Sequence, residues 1–135
     1  MPEIDATVLE SLLNAARTAS ASAYCPYSNF RVGAAILAGG RIFTGANVEN
    51  ASYGLTVCAE RTAAFAAVLA GFRRFDAVAV ACVDAAEGSA PNLLMPCGTC
   101  RQVLAEFAAP ATPVVIGRVG TFRLEELLPL AFRMG

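Results

Sequence analysis

Phe30-Arg31-Val32-Gly33-Ala34-Ala35-Ile36-Leu37-Ala38-Gly39-Gly40-Arg41-Ile42-Phe43-Thr44 holds two runs of strand composition, Phe30 to Leu37 and Arg41 to Thr44, on either side of paired glycines. Adjacent glycines accept the positive φ that a tight hairpin turn demands, so the stretch predicts a β-hairpin. Upstream, from Ile4, the apolar positions Val8, Leu9, Leu12, Leu13 and Ala16 recur at helical spacing, with Thr7 and Glu10 placed as a capping box. An N-terminal helix is expected there. Downstream, Asp76 to Val83 alternates Val with small residues, and Val114, Val115 and Ile116 form a compact β-branched run after Pro113. Both predict interior strands. Between them lie two helical stretches, Cys58 to about Ala70, closed by Gly71, and Gly98 to about Phe107, stopping short of Pro110. Helices and strands that alternate after a hairpin predict a mixed sheet with helices on both faces.

The chain has 135 residues, the usual size of one domain, and no repeat, linker or low-complexity tract divides it, so residues 1–135 are expected to form a single unit. Hydrophobic residues make up 56% of it, but much of that surplus is alanine, which tolerates exposure and only weakly suggests interfaces between subunits. No apolar run approaches the ~18 residues of a membrane span. The opening Met1-Pro2-Glu3-Ile4-Asp5 lacks the basic flank and apolar core of a signal peptide, so a cytoplasmic chain with no membrane partner is expected. All ten basic residues are Arg, scattered singly apart from Arg73 and Arg74, and the net charge is −1. A polyanion needs a basic stripe, which argues against a nucleic acid polymer as partner.

There is no histidine, so every mechanism built on an imidazole base is excluded, and a general base must be a carboxylate, a thiolate or a metal-activated water. Five cysteines, an odd number, in a chain read as cytosolic argue for metal binding or catalysis over disulfides. Met95-Pro96-Cys97-Gly98-Thr99-Cys100 sets two thiols at C-x-x-C spacing, on one side of a helix's first turn. Such a pair reads first as a zinc half-site, with a redox couple or two core cysteines as alternatives. Val57-Cys58-Ala59-Glu60-Arg61 supplies a third thiol at a second helix start, with a carboxylate two residues on. Helix N-termini favour thiolates, and three protein ligands rather than four leave a catalytic zinc its open position. Cys25, in a Tyr-Cys-Pro-Tyr turn, and Cys82, in an apolar strand, read as small buried hydrophobes; either one as a fourth ligand is the alternative that would make the site structural.

Cys58-Ala59-Glu60 followed by Pro96-Cys97-x-x-Cys100 resembles the signature of the zinc-dependent nucleoside and nucleobase deaminases, and the form with Cys in first position resembles the small homotetrameric cytidine deaminases. The resemblance runs through Ala23-Tyr24-Cys25-Pro26-Tyr27-Ser28-Asn29-Phe30, Asn47-Val48-Glu49-Asn50, Cys58-Ala59-Glu60-Arg61-Thr62, Pro96-Cys97-Gly98-Thr99-Cys100-Arg101-Gln102 and Glu126-Leu127-Leu128-Pro129. It implies an α/β fold, a three-layer α/β/α sandwich with a mixed sheet of about five strands. It also implies one Zn²⁺ per chain on Cys58, Cys97 and Cys100, and hydrolytic deamination of cytidine and deoxycytidine to uridine and deoxyuridine with loss of ammonia, as in pyrimidine salvage. Glu60 would protonate the ring nitrogen, hydroxide would attack C4, and the carboxylate would then pass a proton to the departing ammonia.

Taken alone, Glu60 is only a carboxylate in a helix's first turn, and the flanking cysteine is what changes that reading. Three thiolates blunt the Lewis acidity of zinc, so donors that draw charge from sulfur are expected. By resemblance Arg61 is the first such donor, with Arg101 and Gln102 as secondary ones. Asn47 and Glu49 would bind the sugar, Phe30 would pack against the base, and Ala59 would line the pocket. Ala51, Tyr53 and Phe132 would reach a neighbouring subunit's pocket in a homotetramer. Ala46 stands where similar enzymes often carry another Cys, and the sequence ends three residues past Phe132, leaving little chain to hold that ring. The rival readings are a deaminase of an aminoacyl-nucleoside antibiotic of the blasticidin S type, sharing the zinc motif, and a non-catalytic zinc or redox module that has no need of Glu60.

Overall fold

In the computed structural model, residues 4–134 are described; Met1, Pro2 and Glu3 of the segment read above for a signal peptide, and Gly135, lie outside them. Helix α1 spans Ala6–Ala19 and is followed by a hairpin of β1, Val32–Ala38, and β2, Arg41–Ala46. Then come α2, Ala59–Leu69; β3, Ala77–Cys82; α3, Gly98–Phe107; β4, Pro113–Ile116; β5, Gly120–Arg123; and α4, Leu124–Leu127. The sheet order is β2-β1-β3-β4-β5. Strands β1 and β2, β1 and β3, and β4 and β5 pair antiparallel, whereas β3 and β4 are parallel, with α3 in the crossover between them.

Alternation along the strands sends side chains to two cores. Ala35, Leu37, Ala77, Ala79, Ala81 and Val115 meet Leu12 and Ala16 of α1 on one face. Ala34, Ile36, Ala38, Val78, Val80, Val114 and Ile116 meet Ala63, Ala64 and Ala67 of α2 and Leu104 and Ala105 of α3 on the other. The layers are therefore helix, mixed five-stranded sheet, helices, as expected. Alanine is abundant because the helices lie close against the sheet. A Cβ on Gly33 would stand 1.8 Å from the Ala16 carbonyl oxygen of α1, and one on Gly45 would stand 2.3 Å from the backbone nitrogen of Ala63 in α2.

The hairpin turns at Gly39 and Gly40 with φ of 58° and 77°, as the glycine pair demands. Four details differ from the sequence reading. Strand β1 begins at Val32, two residues after Phe30. Strand β2 continues to Ala46 because Gly45 and Ala46 pair with Ala34 and Gly33. Helix α1 is capped by Asp5, whose carboxylate accepts the Val8 N–H at 3.0 Å, and not by Thr7 and Glu10, because Asp5 has the extended backbone of an N-cap while Thr7 is already inside the first turn. Strand β5 and the single turn α4 carry no periodicity from which to read them; they are held by pairing with β4 and by the Glu126 carboxylate, which accepts the Arg123 N–H at 2.8 Å. Among the described residues no helix is long and apolar enough to cross a membrane.

Candidate active site

Helices α2 and α3 each begin at a cysteine. Cys58 and Cys97 are the N-caps, both with extended backbone, and neither thiol is spent on a capping hydrogen bond. Cys100 sits in the first turn of α3, and the Sγ atoms of Cys58, Cys97 and Cys100 all lie within 4.8 Å of one another. The Cys97 and Cys100 sulfurs are 3.4 Å apart. The Cys58 thiol is acidified, first by a hydrogen bond from the Cys100 thiol and then by Arg61, while Cys100 holds its own proton well above the ordinary thiol range because it donates it to Cys58 and is buried. Three thiols this close make a donor set that suits a borderline-soft dication such as zinc, since thiolate sulfur is among its preferred ligands. Cys25 and Cys82 do not belong to this group. Burial pushes the Cys82 thiol up to about 11, and it donates to the Leu94 carbonyl at 3.7 Å.

Glu60, in the first turn of α2, is 4% exposed and lies against the sulfurs. Burial pushes its carboxyl up to about 7, the charge on Cys58 adds to the rise, and its own backbone N–H and the Cys100 thiol oppose it. A carboxyl so poised takes up and releases protons near neutral pH. The Arg61 guanidinium, one residue on, stands 3.6 Å from Cys58 Sγ and 3.4 Å from the Thr56 carbonyl oxygen, and its buried Nε has no hydrogen-bond partner among the described residues. Arg101 and Gln102 direct their donors to backbone carbonyls instead. Arg101 reaches Pro96 at 2.7 Å and Leu127 at 2.6 Å, which ties α4 to the loop before Cys97, and Gln102 reaches Phe132 at 3.0 Å.

A cleft of about 370 Å³ opens over the sulfurs and Glu60. Phe30, Asn47, Glu49, Tyr53 and Ala59 line it, together with Ser28, Cys82, Leu93 and Met95, whose part in the site sequence reasoning missed. The Asn47 amide bridges the start of β1, its Oδ1 accepting the Val32 N–H at 2.9 Å and its Nδ2 donating to the Phe30 carbonyl at 2.8 Å. The buried Glu49 carboxylate accepts the Tyr27 and Ser28 N–H groups at 3.1 Å each and the Ser28 hydroxyl, and these bonds hold it below the usual carboxylate range. Ala51 and Phe132 are exposed and do not line this cleft; Tyr53 stands at its rim, 82% exposed. The backbone at Phe132 and the Arg133 side chain are tied to α3, while the Phe132 ring itself stays 70% exposed. Gln102 binds the Phe132 carbonyl, and Arg133 donates to Ala105 at 2.6 Å and Ala108 at 3.3 Å.

Two helix N-termini aimed at one set of three thiols, with a buried carboxyl beside it and a cleft above, define a site for hydrolysis at a bound metal. The chain belongs to the cytidine and deoxycytidylate deaminase family, for residues 6–117 match the model of that family's zinc-binding region. Zinc is accordingly its cofactor. It is 49% identical to a probable cytidine deaminase of Dictyostelium discoideum over 73% of this chain, spanning 65% of that relative's length. It is 46% identical to the cytidine deaminase of Sporosarcina psychrophila, covering 92% of this chain and 90% of the relative. The crystal structure of cytidine deaminase from Mycobacterium tuberculosis matches with a TM-score of 0.81 at 44% identity, covering 98% of this chain and all of that one.

Proposed function

We infer that the protein is a zinc-dependent cytidine deaminase that hydrolyses cytidine and deoxycytidine to uridine and deoxyuridine with release of ammonia. The observation that carries the reading is Glu60, a nearly fully buried carboxyl poised near neutrality, set against three clustered thiols at the floor of a nucleoside-sized cleft. Cys58, Cys97 and Cys100 would hold one zinc ion per chain. When bound, that ion acidifies water and so supplies the attacking hydroxide at neutral pH. Glu60 would accept one proton from the attacking water and deliver it to ring N3, then take the proton of the new C4 hydroxyl and pass it to the amino nitrogen as the C4–N bond breaks and the C4 carbonyl forms. Arg61 draws charge from Cys58 through its guanidinium contact.

The rest of the cleft sorts substrates. The Phe30 ring offers a face for the base. Asn47 and Glu49 face the sugar, and an ionised Glu49 accepts a hydroxyl but repels a phosphate, which favours a nucleoside over a nucleotide or polynucleotide. Tyr53 and Phe132, 82% and 70% exposed, support assembly into a homotetramer in which Ala51, Tyr53 and Phe132 complete neighbouring sites. The unpaired thiols suit the reducing cytoplasm, where the reaction would serve pyrimidine salvage. The test is ultraviolet absorbance with cytidine, deoxycytidine and cytidine 5′-monophosphate in parallel. Conversion of the two nucleosides and neglect of the nucleotide is expected; an enzyme inert to both nucleosides contradicts the reading.

A further inference from the structure

We propose that Ser28 is a positioning residue that fixes the Glu49 carboxylate in one orientation for a sugar hydroxyl, an inference that rests on the nucleoside reading above. Ser28 sits in the loop between α1 and β1, and that loop is itself rigidly tied. The Asn29 N–H donates to the Cys25 carbonyl at 2.9 Å, and Asn29 takes a left-handed φ of 55°. The Ser28 Oγ accepts the Phe30 N–H at 3.0 Å, and its single proton goes to Glu49 Oε2. The Tyr27 and Ser28 N–H groups both donate to Oε1, at 3.1 Å each.

A carboxylate has about four acceptor positions. The loop fills three of them, both on Oε1 and one on Oε2. One position on Oε2 is left, on a residue that is buried yet lines the cleft. Sugar recognition at Glu49 is therefore a single directed acceptor, and the Ser28 hydroxyl sets its direction. Loss of that hydroxyl frees Oε2 to turn or to take up water, and affinity for a sugar hydroxyl falls while the chemistry at the base is untouched.

The experiment compares wild type, Ser28→Ala and Ser28→Thr on cytidine and on 2′,3′-dideoxycytidine, which lacks both ring hydroxyls, with zinc content measured in each. For Ser28→Ala, kcat/KM on cytidine is expected to fall about tenfold, nearly all through KM, the effect of about one charge-assisted hydrogen bond. On the dideoxynucleoside it should change by less than about twofold, and Ser28→Thr, which keeps the hydroxyl at an exposed position, should restore the cytidine value. In a Glu49→Gln background, Ser28→Ala should add nothing further. Equal losses on both substrates, a fall in kcat at constant KM, or additive effects with Glu49→Gln would overturn the proposal. Wild type inert to cytidine would instead overturn the functional reading, and the proposal with it.

Discussion

Three clustered thiols and one buried carboxyl meet at the cleft, and the neighbours of each set its chemistry. Arg61 is the one donor of the three expected that reaches a sulfur, at 3.6 Å from Cys58, since Arg101 and Gln102 serve backbone carbonyls. Arg61→Ala should therefore lower kcat by about 10- to 100-fold while the protein still binds zinc, read from steady-state rates beside metal analysis. Unchanged turnover would remove Arg61 from the mechanism. At this scale most of the site was legible in the sequence, because the spacing of Cys97 and Cys100, and of Cys58 and Glu60, is local and a helix's first turn converts it directly into geometry. Cys82 and Leu93 were not legible, because they reach the cleft only through the folding of segments distant in sequence from the motifs, and Ser28 and Met95, though two residues from Phe30 and Cys97, have no spacing signal of their own.

Elements set where those side chains stand. Gly45 lets α2 press against β2, with the space of its missing Cβ bounded by Ala63 N, Thr62 Oγ1 and Ala59 O within 2.6 Å. Gly45→Ala must push back the first turns of the helix that carries Glu60, so it should cost about 1–3 kcal/mol of stability and depress activity, measured by denaturant unfolding and by rate. Gly40→Ala, where a Cβ meets open space, provides a comparison for the strain of positive φ alone. A second constraint joins the approach to β1 to the end of β3, where the Arg31 guanidinium and N–H hold both oxygens of Asp84. Those bonds pull the Asp84 carboxyl down to about 2 from its ordinary 3.8. The folded-state value lies below the unfolded one, so the stabilisation is present above about pH 4 and is lost as pH falls toward 2. Thermal melts across that window should show a steeper loss for wild type than for Asp84→Asn; equal slopes would mean the ion pair is too well solvated to matter. The strands and long helices were readable from periodicity, whereas β5 and α4 are four residues each and owe their form to the edge of β4.

At the scale of the molecule, the sheet is a platform that brings two helix starts, far apart in sequence, to one point. Zinc bound there links α2 to α3 and favours the folded chain, in which all three thiols meet, so removal by a chelator should lower the melting temperature, and added zinc should restore it. The same treatment should free the thiols of Cys58 and Cys97 to a cysteine reagent, with the buried Cys100 reacting only as the chain unfolds; a melting temperature and thiol count insensitive to chelation would contradict the metal assignment. The layered architecture followed from the order of elements, but the cleft did not, since its walls come from the loop before β1, the segment after β2 and the turn before α3.

If Glu60 moves the protons of a hydrolysis performed at three-thiol zinc, Glu60→Gln abolishes turnover, because the amide keeps the shape and loses the proton chemistry. Wild type and variant should each hold about one zinc per chain, with cytidine conversion lost by at least about 10³-fold in the variant alone. A Glu60→Gln protein that retains zinc and deaminates cytidine at the wild-type rate would exclude Glu60 from the proton transfers.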